Sequence, residues 1–234
     1  MDFSTALTAA TRNIRNHGYG AAVYDIGLRL TNRLVTYRRL QCVVIETPNV
    51  KYTNLPAPFR YSRLRAADLM KYSGSLEYEL DQEFLRSADA KGDECLAIFN
   101  GDVLASYGWY SAQATRINDK LELDFDHTYR YMYKGLTLDA FRGHRLHAIG
   151  MTLALASYRK EGCKGLLSYV EAQNFDSLKS CYRMGYKPCG FIRFFKLADK
   201  FIIRPSAECE KYQLRLYEVS SVTAQKPPHI ARAA

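Results

Sequence analysis

The run YKGLTLDAFRGHRLHAIGMTLALASY, Tyr133 to Tyr158, decides the fold. Its opening continues a strand stretch, YRYMYKGLTL, that begins at Tyr129 and carries Gly135 as a bulge signal. Its close reads as a helix from about Leu146 to Lys160, because Leu146, Ile149, Leu153 and Ala156 fall on one stripe. Between them lies Arg142-Gly143-His144-Arg145. A helix start exposes unpaired N–H groups and a partial positive charge, so it favours phosphate. Gly143 permits a tight turn or close backbone approach. Arg142, His144 and Arg145 add positive potential. A basic turn that meets only solvent has the same look, so the residues alone leave both readings open.

Outward from this run the elements follow in order. Downstream, GLLSYV (Gly165–Val170) is a short, nearly all-apolar strand of the kind buried on both faces. The strand–helix–strand unit from Tyr129 to Val170 is then expected to be parallel with a right-handed crossover. A second helix is expected over Phe175–Met184, with Asn174 as N-cap and Gly185 as its stop. GFIRFFKL and CEKYQLRLYEV read as closing strands, and residues from about Ser221 as a tail. Upstream, Glu94–Tyr110 reads as a hairpin turning at Asn100-Gly101. LELDFD (Leu121–Asp126) alternates as a strand. FRYSRL (Phe59–Leu64) is a strand, and the residues after it to about Arg86 look helical. The fold class is α/β (α+β): a mixed, mostly antiparallel sheet with a central parallel β-α-β unit and helices on both faces.

The first 55 residues read as an extension. Residues 1–18 are polar and loosely held. From Val23 the apolar residues Ile26, Leu30, Leu34 and Tyr37 recur at helical spacing among basic ones, giving an amphipathic basic helix. CVVIE (Cys42–Glu46) is a short strand, and TPNVKYTNLPAPF, with three prolines, is a linker. The expected division is 1–55 extension, 56–220 main domain, 221–234 tail.

With 234 residues, 47% hydrophobic and 24% charged, the composition is that of a globular protein. The net charge of +9 favours an anionic partner. Nucleic acid is not expected, because the basic residues are dispersed and no aromatic-interleaved basic motif occurs. No apolar run reaches the length of a membrane span and no export signal opens the chain, so a cytoplasmic protein with reduced thiols is expected. The six cysteines form no CxxC pair and histidine is sparse, which argues against a metal site.

The run YKGLTLDAF, then RGHRLHAIGMTLALASY, then LLSYV, then NFDSLKSCYRMGYKPCGF resembles the GNAT superfamily of acyl-CoA N-acyltransferases over about residues 57–218. That family's phosphate loop is Arg/Gln-x-x-Gly-x-Gly/Ala, and Arg142 fills its first position beside Gly143. Asn174, Ser177 and Gly185-Tyr186 match its second hallmark. The loop departs from the pattern with Arg145 and His147 where glycine or alanine is usual. A third departure is Cys181 in the slot of the tyrosine that protonates the leaving thiolate, with Tyr182 one position later, a helix rotation of about 100°.

The resemblance implies a cytoplasmic enzyme that moves an acetyl or other acyl group from acyl-CoA to a small-molecule primary amine in a ternary complex. It implies that the backbone of Leu136, Thr137 and Leu138 binds the pantetheine arm. The loop of Arg142, Gly143, His144, Arg145, Leu146, His147 and Ala148 would hold the pyrophosphate, and Asn174 and Ser177 the cofactor's far side. Tyr182 is the candidate acid. Glu171, at the C-terminal end of the central strand where ligands bind in open α/β sheets, is a further catalytic candidate. Glu122, Asp124 and Asp126 read as an amine-facing row or a solvated face. Tyr129, Tyr131 and Tyr133 read as an acceptor pocket or as core. Two alternatives stay open: a longer acyl chain delivered by CoA or an acidic acyl carrier protein, and a non-catalytic CoA-binding relic. The extension has three open roles: covering the acceptor pocket, forming a homodimer contact, or touching a membrane.

Overall fold

A computed structural model describes residues 15–16, 18–34, 36–197 and 200–219. Most of the polar stretch 1–18 and the tail expected over 221–234 lie outside the described residues. Helix α1 spans Tyr19–Leu34 and leads into β1, Thr36–Ile45; β2 is Phe59–Leu64. Two helices follow, α2 (Ala66–Leu69) and α3 (Gln82–Lys91), and then the hairpin β3 (Glu94–Asn100) and β4 (Val103–Ser111). Short strands β5 (Thr115–Arg116) and β6 (Leu121–Asp124) precede β7 (Arg130–Thr137), α4 (Leu146–Lys160), β8 (Leu166–Glu171) and α5 (Phe175–Met184). The chain closes with β9 (Lys187–Leu197), β10 (Lys200–Pro205) and β11 (Arg215–Glu218).

Eight strands form one sheet in the order β10-β9-β1-β8-β7-β4-β3-β2, and β11-β6-β5 form a second. Among these pairs β7 and β8 alone are parallel, with Arg130 opposite Leu166 and Tyr131 opposite Leu167. The mixed, mostly antiparallel sheet with a parallel β-α-β centre is therefore as expected.

Side-chain alternation sorts the core onto two faces. On one, α4 packs through Met151, Ala154, Leu155 and Tyr158 against Val43, Leu96, Tyr110 and Leu166. On the other, α2 and α3 cover Cys95, Ala97, Tyr107 and Trp109. Beside them the small sheet buries Leu121, Leu123 and Leu216 against Leu40, Cys42, Tyr131 and Leu167. Tyr133 packs against both of these clusters and so marks the seam between the helices and the small sheet.

Several expectations are corrected. The extension does not end at residue 55: β1 lies inside the main sheet, antiparallel to both β8 and β9. Its apolar run Cys42–Ile45 is covered on both faces, Cys42 and Val44 by one cluster and Val43 and Ile45 by another. Tyr37 belongs to β1 rather than to the helix before it. The helix expected to run to Arg86 is broken, because Ser73-Gly74-Ser75 interrupts it, Glu79 is left-handed (φ 50°) and Asp81 caps a new helix by accepting from the Phe84 N–H at 2.7 Å. CEKYQLRLYEV is strand only over Arg215–Glu218, since Ala207–Tyr212 forms 3-10 turns. LELDFD forms β6 in the small sheet, outside the main one.

Candidate functional site

Pairing of β7 with β8 ends at Tyr131 and Leu167, although β7 runs on to Thr137. Ser168 makes one last tie, donating to the Met132 carbonyl at 2.8 Å. Beyond it β7 is paired only with β4, through Tyr107 opposite Leu136 and Ser106 opposite Thr137. Among the described residues no strand pairs with the other edge of β7 here: the Leu136 carbonyl accepts from Ser106 Oγ and the Leu138 N–H donates to Ala105 on the β4 side, so by alternation Thr137 turns its N–H and C=O toward the edge where an extended ligand would lie.

The bulge in β7 lies at Tyr133, since Trp109 pairs with Lys134 and Tyr110 with Met132. Gly135, the expected bulge, has a different task. A Cβ there would lie 2.7 Å from His147 Cε1 and 2.8 Å from Met132 Cε. The imidazole of His147 is thus packed over Gly135, and burial holds its pKa below the ordinary histidine value. The ring is neutral at pH 7 and turned away from the loop. The bulk of the His147 ring is accommodated by the missing side chain at 135.

The loop itself is pinned at its base. Phe141 stacks edge-on against Phe59 at 6.0 Å, and the His144 ring lies 5.8 Å from Phe59 with Nδ1 3.2 Å from the Phe141 carbonyl. Arg142 pairs with Asp139 at 2.9 Å while staying half exposed. Gly143 has φ +85° and open space where a Cβ would be. Arg145, the residue before α4, is left-handed (φ 60°) and provides no capping side chain, and the first turn of α4 holds no acidic residue. The amides that begin at Leu146, His147 and Ala148 therefore open onto a basic loop at the C-terminal end of β7. That is the arrangement that attracts phosphate.

Helix α5 starts at the C-terminal end of β8. Asn174 accepts from the Ser177 N–H at 3.1 Å, so its side chain is committed to capping, and Ser177 is buried. Gly185 closes the helix in a left-handed conformation (φ 106°). Cys181 packs among Met184, Tyr186 and their neighbours, and burial pushes its thiol up to about 11. Tyr182, a rotation away, is 44% exposed, and partial burial beside Cys181 raises its pKa, so the phenol keeps its proton at neutral pH. Glu171 is engaged by Gln173 Nε2 and lies 3.8 Å from Arg38 on β1.

Asp124 ends β6 and Asp126 lies just beyond it. Asp124 meets the Phe125 N–H and the His127 ring, and Asp126 meets the Thr128 N–H and hydroxyl. Tyr129 bonds Glu46 at 2.7 Å and is core, as is Tyr131. Tyr133 bonds Asp93, a carboxylate 1% exposed, at 2.8 Å; sequence reading passed over this aspartate. Its signal was KGDEC, three charges between a helix end and a strand. The six cysteines are free thiols, and among the described residues no cluster of His, Cys, Asp or Glu is built to hold a metal. No described helix is long and apolar enough to cross a membrane.

No known family profile matches the chain, and no curated protein does. Solved structures similar to it include a Drosophila protein, 17% identical with a TM-score of 0.49, covering 78% of this chain and 58% of its own. Another is a GNAT-family acetyltransferase from Colwellia psychrerythraea, 13% identical, TM-score 0.48, covering 68% and 56%. A third is AAC(6')-Iy bound to a bisubstrate analogue of CoA and acetylneamine, 14% identical, TM-score 0.44, covering 56% and 92%. The chain thus spans less than two thirds of the first two of these proteins. Likeness at this level is a likeness of chain path.

Proposed function

We propose that the protein transfers an acyl group from acyl-CoA to a primary amine by direct attack in a ternary complex. The observation that carries this reading is the union of an open β7 edge with an uncapped, basic α4 N-terminus one short loop away. The edge suits the amide-bearing pantetheine arm and the loop suits the pyrophosphate. The thioester then falls beside the point where β7 and β8 part. Backbone N–H groups there would polarise its carbonyl and stabilise the oxyanion, and Tyr182 would return a proton to the thiolate. Calorimetric titration with acetyl-CoA, free CoA and a longer acyl-CoA tests the reading. Micromolar binding is expected; no binding to any of them overturns the CoA donor.

A second donor is favoured by one feature. Arg39, Arg193 and Arg204 stand directly opposite one another on β1, β9 and β10. Arg39 and Arg193 lie over the Phe191 ring at 4.5 and 5.1 Å. Like charges opposite each other destabilise a sheet, and an acidic acyl carrier protein would relieve that cost. Binding of an acyl carrier protein that is lost in Arg193→Glu is the expected result if the donor rides on a carrier.

A further inference from the structure

The seam at Tyr133 holds a polar cluster inside an apolar surround. Asp93 Oδ2 accepts from the Tyr133 hydroxyl at 2.8 Å and lies 3.1 Å from the Lys91 amine. Lys91 Nζ also reaches the Thr115 hydroxyl at 2.9 Å. Asp93 Oδ1 is buried and has no hydrogen-bond partner among the described residues. Burial costs a carboxylate dearly, and an oxygen left unpaired adds to the cost. A merely structural ion pair would satisfy both oxygens.

The cluster's position gives the expense a purpose. Tyr133 is the bulged residue of β7, two positions beyond the last pairing with β8, and the residue as a whole is partly exposed while its hydroxyl points inward to Asp93. It stacks on Tyr131 at 6.1 Å and 26°, and Tyr131 stacks on Tyr169 of β8 at 6.3 Å and 20°. Three near-parallel rings therefore bridge the two strands just before they separate. Tyr131 is buried, but Tyr133 and Tyr169 at the two ends of the stack are partly exposed residues, and an aromatic face attracts a cationic amine. Charged and titratable neighbours of Tyr133 are Asp93 and Lys91 at the end of α3, Cys95 on β3 and Tyr131 on its own strand. Glu122 on β6 faces Lys91, and Lys134 reaches toward Glu79 at 3.9 Å.

We propose that Tyr133 takes the proton of the attacking amine while Asp93, positioned by Lys91, receives the phenolic proton of Tyr133. The proposal rests on the acyl-transfer reading above. In the step, the amine nitrogen bonds the thioester carbon. The ammonium N–H proton passes to Tyr133 Oη as the Tyr133 O–H proton passes to Asp93. The C–S bond then breaks, its electron pair stays on sulfur, and the thiolate is protonated from Tyr182 or water. Asp93 afterwards returns its proton through Tyr133 to solvent, and solvent restores the proton that Tyr182 or water gave the thiolate, so the two transfers cancel. Tyr133 is the catalytic residue and Asp93 and Lys91 are positioning residues.

The test compares wild type with Tyr133→Phe, Asp93→Asn and Asp93→Glu. Thiol release is followed against pH with acetyl-CoA and a panel of primary amines that includes hydroxylamine. CoA affinity is measured by calorimetry and folding by thermal melting. Loss of general-base help is expected to lower kcat by about a hundredfold or more in the first two variants, with KM for acetyl-CoA unchanged. Their kcat should climb with pH as hydroxide replaces the relay, and Asp93→Glu should recover part of the rate. A Tyr133→Phe variant with wild-type kcat overturns the relay. So does an Asp93→Asn loss that merely follows melting or CoA affinity, or CoA binding without turnover of any amine. Failure of wild type to bind CoA removes the acyl-transfer reading itself, a separate outcome.

Discussion

Gly135 carries no side chain because His147 fills the space one would need. Gly135→Ala is expected to cost about 1–3 kcal/mol by overpacking. Pairing it with His147→Ala should recover part of that loss, because the nearest clash is then gone while Met132 remains. Denaturant unfolding of the two singles and the double reads the coupling directly. Gly143 poses a different question, since its Cβ would meet nothing. Gly143→Ala bears only the left-handed backbone strain, about 1 kcal/mol, and is expected to leave CoA affinity nearly unchanged. Gly143→Asp adds a carboxylate where pyrophosphate should lie and is expected to weaken CoA by more than tenfold, over about 1.4 kcal/mol. Equal affinities in the two variants would remove the loop from the site. Tyr182→Phe should lower turnover and spare CoA affinity, because the ring is half outside the helix's packed face.

Elements are fastened to each other by a few polar knots whose strength depends on pH. Arg63 on β2 reaches Glu94 on β3, through Nε at 2.9 Å, and Glu161 at the end of α4. Its hydrogen bonds hold the Glu161 carboxyl below the usual glutamate range. A depressed carboxylate contributes stability that is complete above the unfolded-state pKa and fades as pH falls through the folded one. Arg63→Met should therefore destabilise the protein at neutral pH and flatten its stability profile between about pH 5 and 3. An unchanged profile would show that solvent screens the knot completely. Caps act independently of pH: Asn174→Ala should cost about 1 kcal/mol, read as a lower melting temperature.

At this scale much was legible. The Asn174 cap, the Gly185 stop and the Asn100-Gly101 hairpin turn each rest on contacts between residues close in sequence, and the β7–α4–β8 unit was legible from its strand–helix–strand order although its strands pair 36 residues apart. What escaped depended on distant partners. The bulge at Tyr133 is set by its register with β4, and Gly135 looked like a bulge only because its reason, His147, lies across a turn. Asp93 drew no reading at all, because the Tyr133 hydroxyl that it accepts from lies 40 positions further along the chain.

Over the whole molecule, the feature hidden from sequence reading was the place of β1. CVVI has the same all-apolar character that marked LLSYV as a strand buried on both faces. The proline-rich segment after it suggested a boundary, whereas that segment only carries the chain from the middle of the sheet to its far edge at β2. Removing residues 1–45 is expected to abolish cooperative folding, because β8 and β9 would each lose the strand between them. A sharp thermal transition in the truncated chain would show that the sheet closes without it.

The inserted strand also sets an order of events in time. On a ribosome β1 emerges before the other strands of its sheet, yet Ile45 meets Leu166 only after roughly 120 further residues have been made. Until then the hairpin and the helices around it can gather while a slot for one strand stands vacant. The slot is ten residues long, laddered by β9 along Thr36–Val44 with a register shift between Gln41 and Val43, and by β8 along Leu40–Ile45. A synthetic decapeptide copying Thr36–Ile45 is therefore the natural reagent for rescuing a chain that lacks its own.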